Sequence, residues 1–314
     1  MSTKSNVLSS LFRDIESDIG TREMSLLILR ALKDSLKALS VENIDEFLSQ
    51  MKELAEDVSN TEPKFGVLNY NLSILLGVME DCMKSKKCDR HKIVKCLINK
   101  IDEIVKSCHE EKNNLIANSG QIDVEGKTIL MHDHSHTVWD VLCNLKRSGK
   151  HFKVVIAEQD FDKTHSNIEK MHAANIPFQV VPSYMLSHIH ESIDMAFFGA
   201  VTLKDTMHFV MDPGSFSVIS EFHVDQVPAY VFIETKKFSF WKSKKRSEIF
   251  IHHHKRSHHS QPIEYDRIKY SHDRVPAHFF TKIVTDQGIY TPKTLKDFFD
   301  KRLSKLESGA GREN

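Results

Sequence analysis

The chain has 314 residues, 40% of them hydrophobic, so it is long enough to bury a core in one large domain or two modest ones. Its 43 lysines and arginines balance its 43 aspartates and glutamates, so the net charge indicates no general affinity for nucleic acid or for basic partners. Its apolar stretches, for example residues 26–29 and 74–76, are far shorter than the roughly 20 residues that cross a bilayer, and we expect no membrane-spanning segment.

Two features of the sequence indicate that the protein is located inside the cell. Residues 1–12 contain no charged segment followed by an apolar core, so we expect no secretory signal and a cytoplasmic protein. The five cysteines form an odd set without a repeated CxxC pair, which is typical of reduced thiols. Cys88 and His91 have a ligand-like spacing but no second pair, so we predict neither a bound metal nor a cofactor.

The first part of the chain has apolar residues at helical spacing. Four such patterns begin near Met24, Ile44, Leu68 and Ile93. Each would bury one apolar stripe against its neighbours, so we predict a helical bundle over residues 1–120.

Beyond Gly120, short β-rich segments alternate with helical patterns. The β-rich segments are residues 128–131, 152–156, 178–181, 195–198 and 229–233. Between the first two, Ser135 is placed to cap a helix that ends at Gly149. The sequence therefore predicts an α/β protein whose residues 121–314 form a Rossmann-like, mainly parallel sheet with helices on both faces.

Residues 236–272 interrupt this pattern with a polar, basic and histidine-rich segment, which we predict to be a surface loop or insertion. It contains a histidine cluster, His252 to His259, in which His254 and His258 would share a face if helical. Imidazoles at that spacing can bind zinc or nickel, but no carboxylate or cysteine completes the set, so an exposed loop is favoured. The basic run at residues 242–246 lies beside aromatic residues, which leaves RNA binding open as an alternative, although we expect no direct nucleic-acid partner.

Nucleotide-binding motifs are missing. The first predicted strand is followed by His132, Asp133, His134 and Ser135 instead of GxGxxG, and no GxxxxGK[ST] occurs in the sequence. We therefore predict no dinucleotide binding and no P-loop chemistry.

Several segments resemble those of a known family. They are TILMH at residues 128–132, KVVIAE at 153–158, DMAFFGA at 194–200, PAYVFIETKKF at 228–238 and TDQGIYTP at 285–292. After a helical bundle, this order resembles the family of initiation factor 2B regulatory subunits and the related ribose-bisphosphate and methylthioribose-phosphate isomerases. The last segment is the most specific and resembles the ending of the alpha subunits, with the beta subunit as the alternative.

The chain departs from this family where the resemblance places isomerase chemistry. The isomerases have a cysteine and an aspartate where this chain has Asp133 and Val201, and a valine cannot transfer a proton. Their phosphate-holding arginine is replaced by Asp160, and their NKxGT segment reads MDPGS, which introduces Asp212. A carboxylate at a phosphate site repels the ligand by on the order of several kcal/mol. We therefore predict no catalytic residues and no enzyme activity.

The carboxyl ends of the predicted strands would still form a pocket, which we interpret as a vestigial ligand site. Its predicted residues are His132, Asp133, Ser135, Glu158, Asp160, Gly199, Val201, Asp212 and Gly214. A metal or hydrolytic site around Asp133 and His134 is the alternative, because carboxylates and imidazoles meet there.

The resemblance implies a function in translation. It implies a non-catalytic regulatory subunit of the complex that exchanges guanine nucleotide on initiation factor 2. Such a subunit forms a homodimer, joins beta and delta subunits, and helps sense phosphorylation of the alpha subunit of the factor. The alternatives are a diverged sugar-phosphate isomerase-like enzyme and a metabolite-binding regulator.

Overall fold

The structure is a computed structural model that describes residues 3–38, 44–61, 65–84, 89–132, 134–158, 161–239, 249–258, 261–270 and 272–307. The α-helices in these ranges are α1 (Thr3–Ala38), α2 (Ile44–Ser59), α3 (Gly66–Lys84), α4 (Arg90–Ser119), α5 (His136–Arg147), α6 (Phe161–Ala173), α7 (Ser215–Val224) and α8 (Pro292–Glu307). The strands are β1 (Lys127–Met131), β2 (Phe152–Glu158), β3 (Phe178–Pro182), β4 (Met195–Gly199), β5 (Thr202–Lys204), β6 (His208–Met211), β7 (Ala229–Phe232), β8 (Phe238–Ser239), β9 (Ile249–His258), β10 (Gln261–Tyr270), β11 (Asp273–Pro276), β12 (Lys282–Thr285) and β13 (Gly288–Tyr290).

Helices α1 to α4 form the predicted bundle. Its apolar stripes are buried against one another, as Leu29, Leu48, Leu75 and Leu97 show, one from each helix. A buried hydrogen bond of 3.0 Å from Asn71 Nδ2 to Ser25 Oγ joins α3 to α1. No helix among the described residues is long and apolar enough to cross a membrane.

The main sheet has seven strands in the order β13-β12-β7-β4-β1-β2-β3. All its pairings are parallel except that of β13 with β12. The six parallel strands are β1, β2, β3, β4, β7 and β12. If they are numbered 1 to 6 in this chain order, their order across the sheet is 3-2-1-4-5-6, which is that of doubly wound Rossmann folds. This confirms the predicted fold class. The predicted division near residue 120 stays a prediction, with α4 ending at Ser119 and β1 beginning at Lys127.

Successive residues of the central strands point to opposite faces of the sheet. On β1, Ile129 and Met131 belong to one buried cluster and Leu130 to another. On β2, Val154 and Val155 divide in the same way. Both faces of the sheet are therefore covered, which explains why these strands read as continuous apolar runs in the sequence.

The helix after β1 begins and ends as predicted. The Ser135 hydroxyl accepts a hydrogen bond of 3.2 Å from the backbone N–H of Val138. At the other end, Ser148 caps the helix and Gly149 follows with a φ of 80°. These caps fix the direction in which β1 leads into α5.

The segment predicted as a surface loop or insertion, residues 236–272, has regular structure over most of its described part, and the prediction of an insertion stays a prediction. Lys236 and Lys237 lie in a buried 3₁₀ turn, and β8 belongs to a second sheet of order β11-β6-β5-β8. β9 and β10 form a ten-residue antiparallel hairpin, so the helical spacing considered for His254 and His258 does not apply. The sequence did not indicate the burial of Lys236 and Lys237, because lysines usually indicate solvent exposure, whereas these two are buried with acidic partners. His259 lies outside the described residues.

Candidate functional site

A cavity of about 60 Å³ lies at the carboxyl ends of β1 and β4. These neighbouring strands mark the point where the strand order reverses, which is where open α/β sheets bind ligands. The cavity is lined by residues 19–22, 134–137, 199–201 and 211–212, together with Lys163 and Lys237.

One wall of the cavity comes from α1 in the helical bundle. The helix is kinked at Gly20, whose φ of 81° and ψ of 158° are not helical. A Cβ atom at Gly20 would lie 3.1 Å from Cδ2 of His136, so the kink also requires the absence of a side chain. The kink places the buried residues Thr21 and Arg22 at the cavity.

Two cations of the cavity lining, Arg22 and Lys237, belong to a largely buried ion network. The Arg22 guanidinium lies 2.7 Å from Oε1 of Glu234 and 3.3 Å from Oδ2 of Asp140. Nζ of Lys237 lies 3.3 Å from Oε2 of Glu234 and donates a 3.2 Å hydrogen bond to the carbonyl of Ala200. Burial alone would raise the pKa of Glu234, but Lys237 and Arg22 outweigh it and lower that pKa to about 2. Glu234 is therefore ionised at neutral pH.

The cavity lining also contains the ion pair of Lys163 and Asp212, whose Nζ and Oδ2 atoms lie 2.9 Å apart. Lys163 lies on α6 and was not predicted as a site residue. Because it compensates the charge of Asp212, the expected repulsion of an anion by Asp212 is reduced.

Three histidines lie at or near the cavity. His132 is buried, and this burial lowers its pKa to about 4, with a smaller opposite effect of Asp212. Nε2 of His134 lies 2.8 Å from Nζ of Lys170 and 3.1 Å from Oγ of Ser166. The ammonium group of Lys170 can only donate a hydrogen bond, so Nε2 of His134 is the acceptor and carries no proton. Burial also lowers the pKa of His136, and its Nε2 has no hydrogen-bond partner among the described residues.

The structure brings together part of the predicted pocket. Ser135, Gly199, Val201 and Asp212 line the cavity. His132 and Gly214 lie beside each other, since a Cβ at Gly214 would be 3.7 Å from Cε1 of His132, but they do not line it.

The structure places one predicted pocket residue away from the cavity and does not describe two others. Glu158 is exposed at the end of β2 and does not line the cavity, and its carbonyl accepts a hydrogen bond from the Ser183 hydroxyl. Asp133 and Asp160 lie outside the described residues, so the alternative site around Asp133 stays a hypothesis.

The sequence did not indicate the cations of the site. Arg22, Lys163 and Lys237 are distant from one another in the chain, and none follows a predicted strand directly. The one available signal was Gly20, a glycine just before the first helical pattern, which marks a possible break. Three cations and one carboxylate line the cavity, and these cations are already paired with Glu234, Asp140 and Asp212, so a small anionic ligand would have to compete with those carboxylates.

One group of possible metal ligands lies apart from the cavity lining. Among the described residues, His190, Glu221 and Asp225 place one ligand atom each within 4.8 Å of one another. Nδ1 of His190 lies 2.8 Å from the carbonyl oxygen of Ser187, so this ring nitrogen already has a hydrogen-bond partner. The prediction of no metal stays a prediction.

The amino-acid sequence matches relatives from archaea and eukaryotes. A profile of the family described as "Initiation factor 2 subunit family" matches residues 18–292. The chain is 25% identical over 244 residues to a Pyrococcus furiosus protein named translation initiation factor eIF-2B subunit 2-like, a match that covers 76% of this chain and 80% of that protein. It is 26% identical over 187 residues to the Dictyostelium discoideum translation initiation factor eIF2B subunit alpha, covering 55% and 58%.

Solved structures share the fold. The Pyrococcus horikoshii translation initiation factor eIF-2B superposes with a TM-score of 0.68 at 19% identity, covering 87% of this chain and 91% of that one. The tetrameric eIF2B-beta2-delta2 complex of C. thermophilum gives 0.67 at 16% identity, covering 95% and 93%. The 5-methylthioribose 1-phosphate isomerase of P. horikoshii gives 0.65 at 15% identity, covering 90% and 83%.

These structural likenesses describe the fold alone, because the identities are low. The profile match spans most of the chain and agrees with the segments at residues 153–158, 194–200, 228–238 and 285–292. The chain belongs to the initiation factor 2 subunit family.

Proposed function

We propose that the chain is a non-catalytic regulatory subunit of the complex that exchanges guanine nucleotide on translation initiation factor 2. The observation that carries this proposal is Val201, which lines the cavity where the related isomerases have an aspartate. A valine can neither accept nor return the proton that an isomerase moves between sugar carbons. Family membership then favours a role through surfaces, carried out in the cytoplasm, over a role through turnover.

The partners of this subunit are a second copy of the chain and the beta and delta subunits of the same complex. Support comes from large apolar side chains exposed next to the ends of β2 and β3. Phe161 and Tyr184 are 78% and 80% exposed, and Met185 is 43% exposed. The hydrogen bond from Ser183 to the carbonyl of Glu158 holds the two strand ends together. Exposed apolar groups of this size are typical of subunit contacts.

The regulatory signal in this proposal is phosphorylation of the alpha subunit of initiation factor 2. A phosphoserine adds nearly two negative charges, so a protein surface can respond to it by direct contact or by recognising a rearranged loop. The helical bundle, α1 to α4, supplies part of this surface in our proposal. The alpha subunit is the preferred assignment because of the segment TDQGIYTP at residues 285–292, and the beta subunit is the alternative.

The test is affinity capture of the tagged full chain from its native cell, followed by identification of the co-purifying proteins. Recovery of beta, delta, gamma and epsilon relatives is the expected result. GDP release from initiation factor 2 is then measured with the complex lacking or containing the chain. The chain should increase inhibition by the phosphorylated factor. A chain that captures none of these subunits, or leaves inhibition unchanged, would contradict the proposal.

A second candidate function is a metabolite-binding regulator, and the charge of the cavity favours it. Arg22, Lys163 and Lys237 all line the cavity, and the start of α5 contributes Ser135 to the same wall. A helix N-terminus and cations together suit a phosphate group. Thermal unfolding with ribose and methylthioribose phosphates tests binding, because a ligand of the folded state raises the Tm. Turnover assays with the same compounds test the third possibility, a diverged isomerase, for which we expect no product.

A further inference from the structure

Two consecutive lysines are buried in one turn between β7 and β8. The 3₁₀ turn Thr235–Lys237, called the lysine turn below, leaves Lys236 and Lys237 only 7% and 6% exposed. An ammonium group is buried in a protein only where acidic or hydrogen-bonding partners compensate its lost hydration. The partners of the two lysines therefore show what the turn connects.

Lys236 contacts the helical bundle. Its Nζ lies 2.8 Å from Oε1 of Glu111 and donates a 3.0 Å hydrogen bond to Oγ of Ser107. The Ser107 hydroxyl donates in turn to Oε1 of Glu111 at 2.8 Å. Cys108 Sγ is 3.6 Å from the same Nζ. All three partners lie on α4, so Lys236 joins the turn to that helix.

Lys237 contacts the cavity. Its Nζ lies 3.2 Å from the carbonyl oxygen of Ala200 and 3.3 Å from Oε2 of Glu234, and its side chain lines the cavity. The other carboxylate oxygen of Glu234 binds Arg22, which lines the cavity as well. Neighbouring residues of one turn thus reach two different parts of the molecule.

Asp286 holds the lysine turn in place. Its Oδ1 accepts a 2.6 Å hydrogen bond from the backbone N–H of Thr235, and its Oδ2 accepts a 3.0 Å bond from the Thr235 hydroxyl. Within the turn, the N–H of Lys237 donates to the carbonyl of Glu234 at 2.9 Å. Because the turn is held by Asp286 at one end and closed by its own hydrogen bond, we expect a displacement of its backbone at Lys237 to be passed on to Lys236.

We infer that the lysine turn is a conformational link through which the charge of the cavity controls the contact of Lys236 with α4. An anion in the cavity attracts the ammonium of Lys237 away from Glu234. The turn then shifts relative to Asp286, and the bond between Lys236 and Glu111 changes with it. The part of this inference that involves a ligand rests on the metabolite-binding candidate above.

Hydrogen exchange of the full chain, followed by mass spectrometry, tests the link at residues 107–115 of α4. Lys237→Met removes the cavity end of the link, and exchange in this segment should become faster by about threefold or more. Lys296→Met is the control, because it removes an exposed lysine that lies outside both the cavity and the turn, and exchange in α4 should stay unchanged. Equal effects of both substitutions, or no effect of Lys237→Met, would overturn the inference.

Inorganic phosphate provides a second measurement on the unaltered protein, which keeps the test valid if Lys237→Met does not fold. Phosphate should change the exchange of residues 107–115, and Lys236→Met should abolish this change while phosphate binding, measured by calorimetry, persists. Binding without any change in α4 would overturn the link and leave the metabolite-binding candidate standing. Absence of phosphate binding would overturn that candidate, and the comparison of variants would still decide on the link.

Discussion

The guanidinium of Arg22 lies 2.7 Å from the carboxylate of Glu234, although 212 residues separate the two in the chain. Both side chains are buried, at 9% and 4% exposure. The pair joins α1, in the helical bundle, to the residue that follows the end of β7 by two positions. Because Arg22 also lines the cavity, the same contact supports the fold and the candidate site.

Arg22→Met should destabilise the protein strongly, since Glu234 would lose one of its two cationic partners in a buried position. Breaking a buried ion pair from one side costs about 3–5 kcal/mol in the free energy of unfolding. Equilibrium unfolding in urea measures this loss. Arg30→Met on the same helix is the control, because Arg30 is exposed, and it should change stability by less than about 0.5 kcal/mol. Similar losses for the two variants would contradict the assignment.

Acid should weaken the fold through His132. Its pKa falls from the ordinary 6.5 to about 4 because burial disfavours the charged ring. Between these pH values the unfolded chain binds the proton and the folded chain does not. The free energy of unfolding should therefore decrease from about pH 6.5 to about pH 4, by on the order of 3 kcal/mol, and this contribution is complete above pH 6.5.

The measurement for His132 is urea unfolding at a series of pH values. His132→Gln should remove this part of the pH dependence, whatever it does to stability at pH 7. His109→Gln changes an exposed histidine on α4 and should retain the full dependence. An unchanged pH profile in His132→Gln would show that the ring is not the titrating group.

Two glycines in helices should respond in opposite ways to alanine. Gly20→Ala requires a φ of 81° in a residue with a Cβ, and that Cβ would lie 3.1 Å from the ring of His136, so a loss of about 1–3 kcal/mol is expected. Gly77 lies within α3 and has no atom within 4 Å of the added Cβ. Gly77→Ala should stabilise the protein by about 0.5–1 kcal/mol. Tm values of the two variants compare them directly, and stabilisation by both would mean that the kink is not required.

Asp286→Ala should destabilise the lysine turn. The substitution leaves the backbone N–H and the hydroxyl of Thr235 without their buried acceptors, which costs about 2–3 kcal/mol. Asp297→Ala, at an exposed position of α8, should stay within about 0.5 kcal/mol of the original protein. Urea unfolding distinguishes these results. A near-neutral Asp286→Ala would mean that the turn is held by other contacts.

Periodicity was sufficient to predict the fold because both halves of the chain bury regular apolar faces. The four helical patterns lie within α1 to α4, and the five predicted strands correspond to β1, β2, β3, β4 and β7. The second sheet was missed because β5 and β8 have three and two residues, too few to show an alternating pattern.

The candidate site was only partly predictable because its charges come from distant segments. Four lining residues could be predicted because they follow a strand or precede a helix, and the predicted strand ends therefore indicated their position. They are Ser135, Gly199, Val201 and Asp212. Lys237 belongs to a basic segment that resembles a solvated surface, and its burial depends on Glu234 and on the carbonyl of Ala200. These contacts of a buried lysine form only in the folded chain, and no local pattern in the sequence indicates them.

The buried pairs between the two halves of the chain also affect the order of folding during synthesis. The helical bundle leaves the ribosome first, and at that stage Arg22 and Glu111 have not yet met Glu234 and Lys236. A nascent chain shorter than about 234 residues would therefore hold charges that cannot yet be buried with partners. These contacts of α1 and α4 can form only after β7 and the lysine turn have been synthesised, so the first half of this protein gains its last buried partners from the second half.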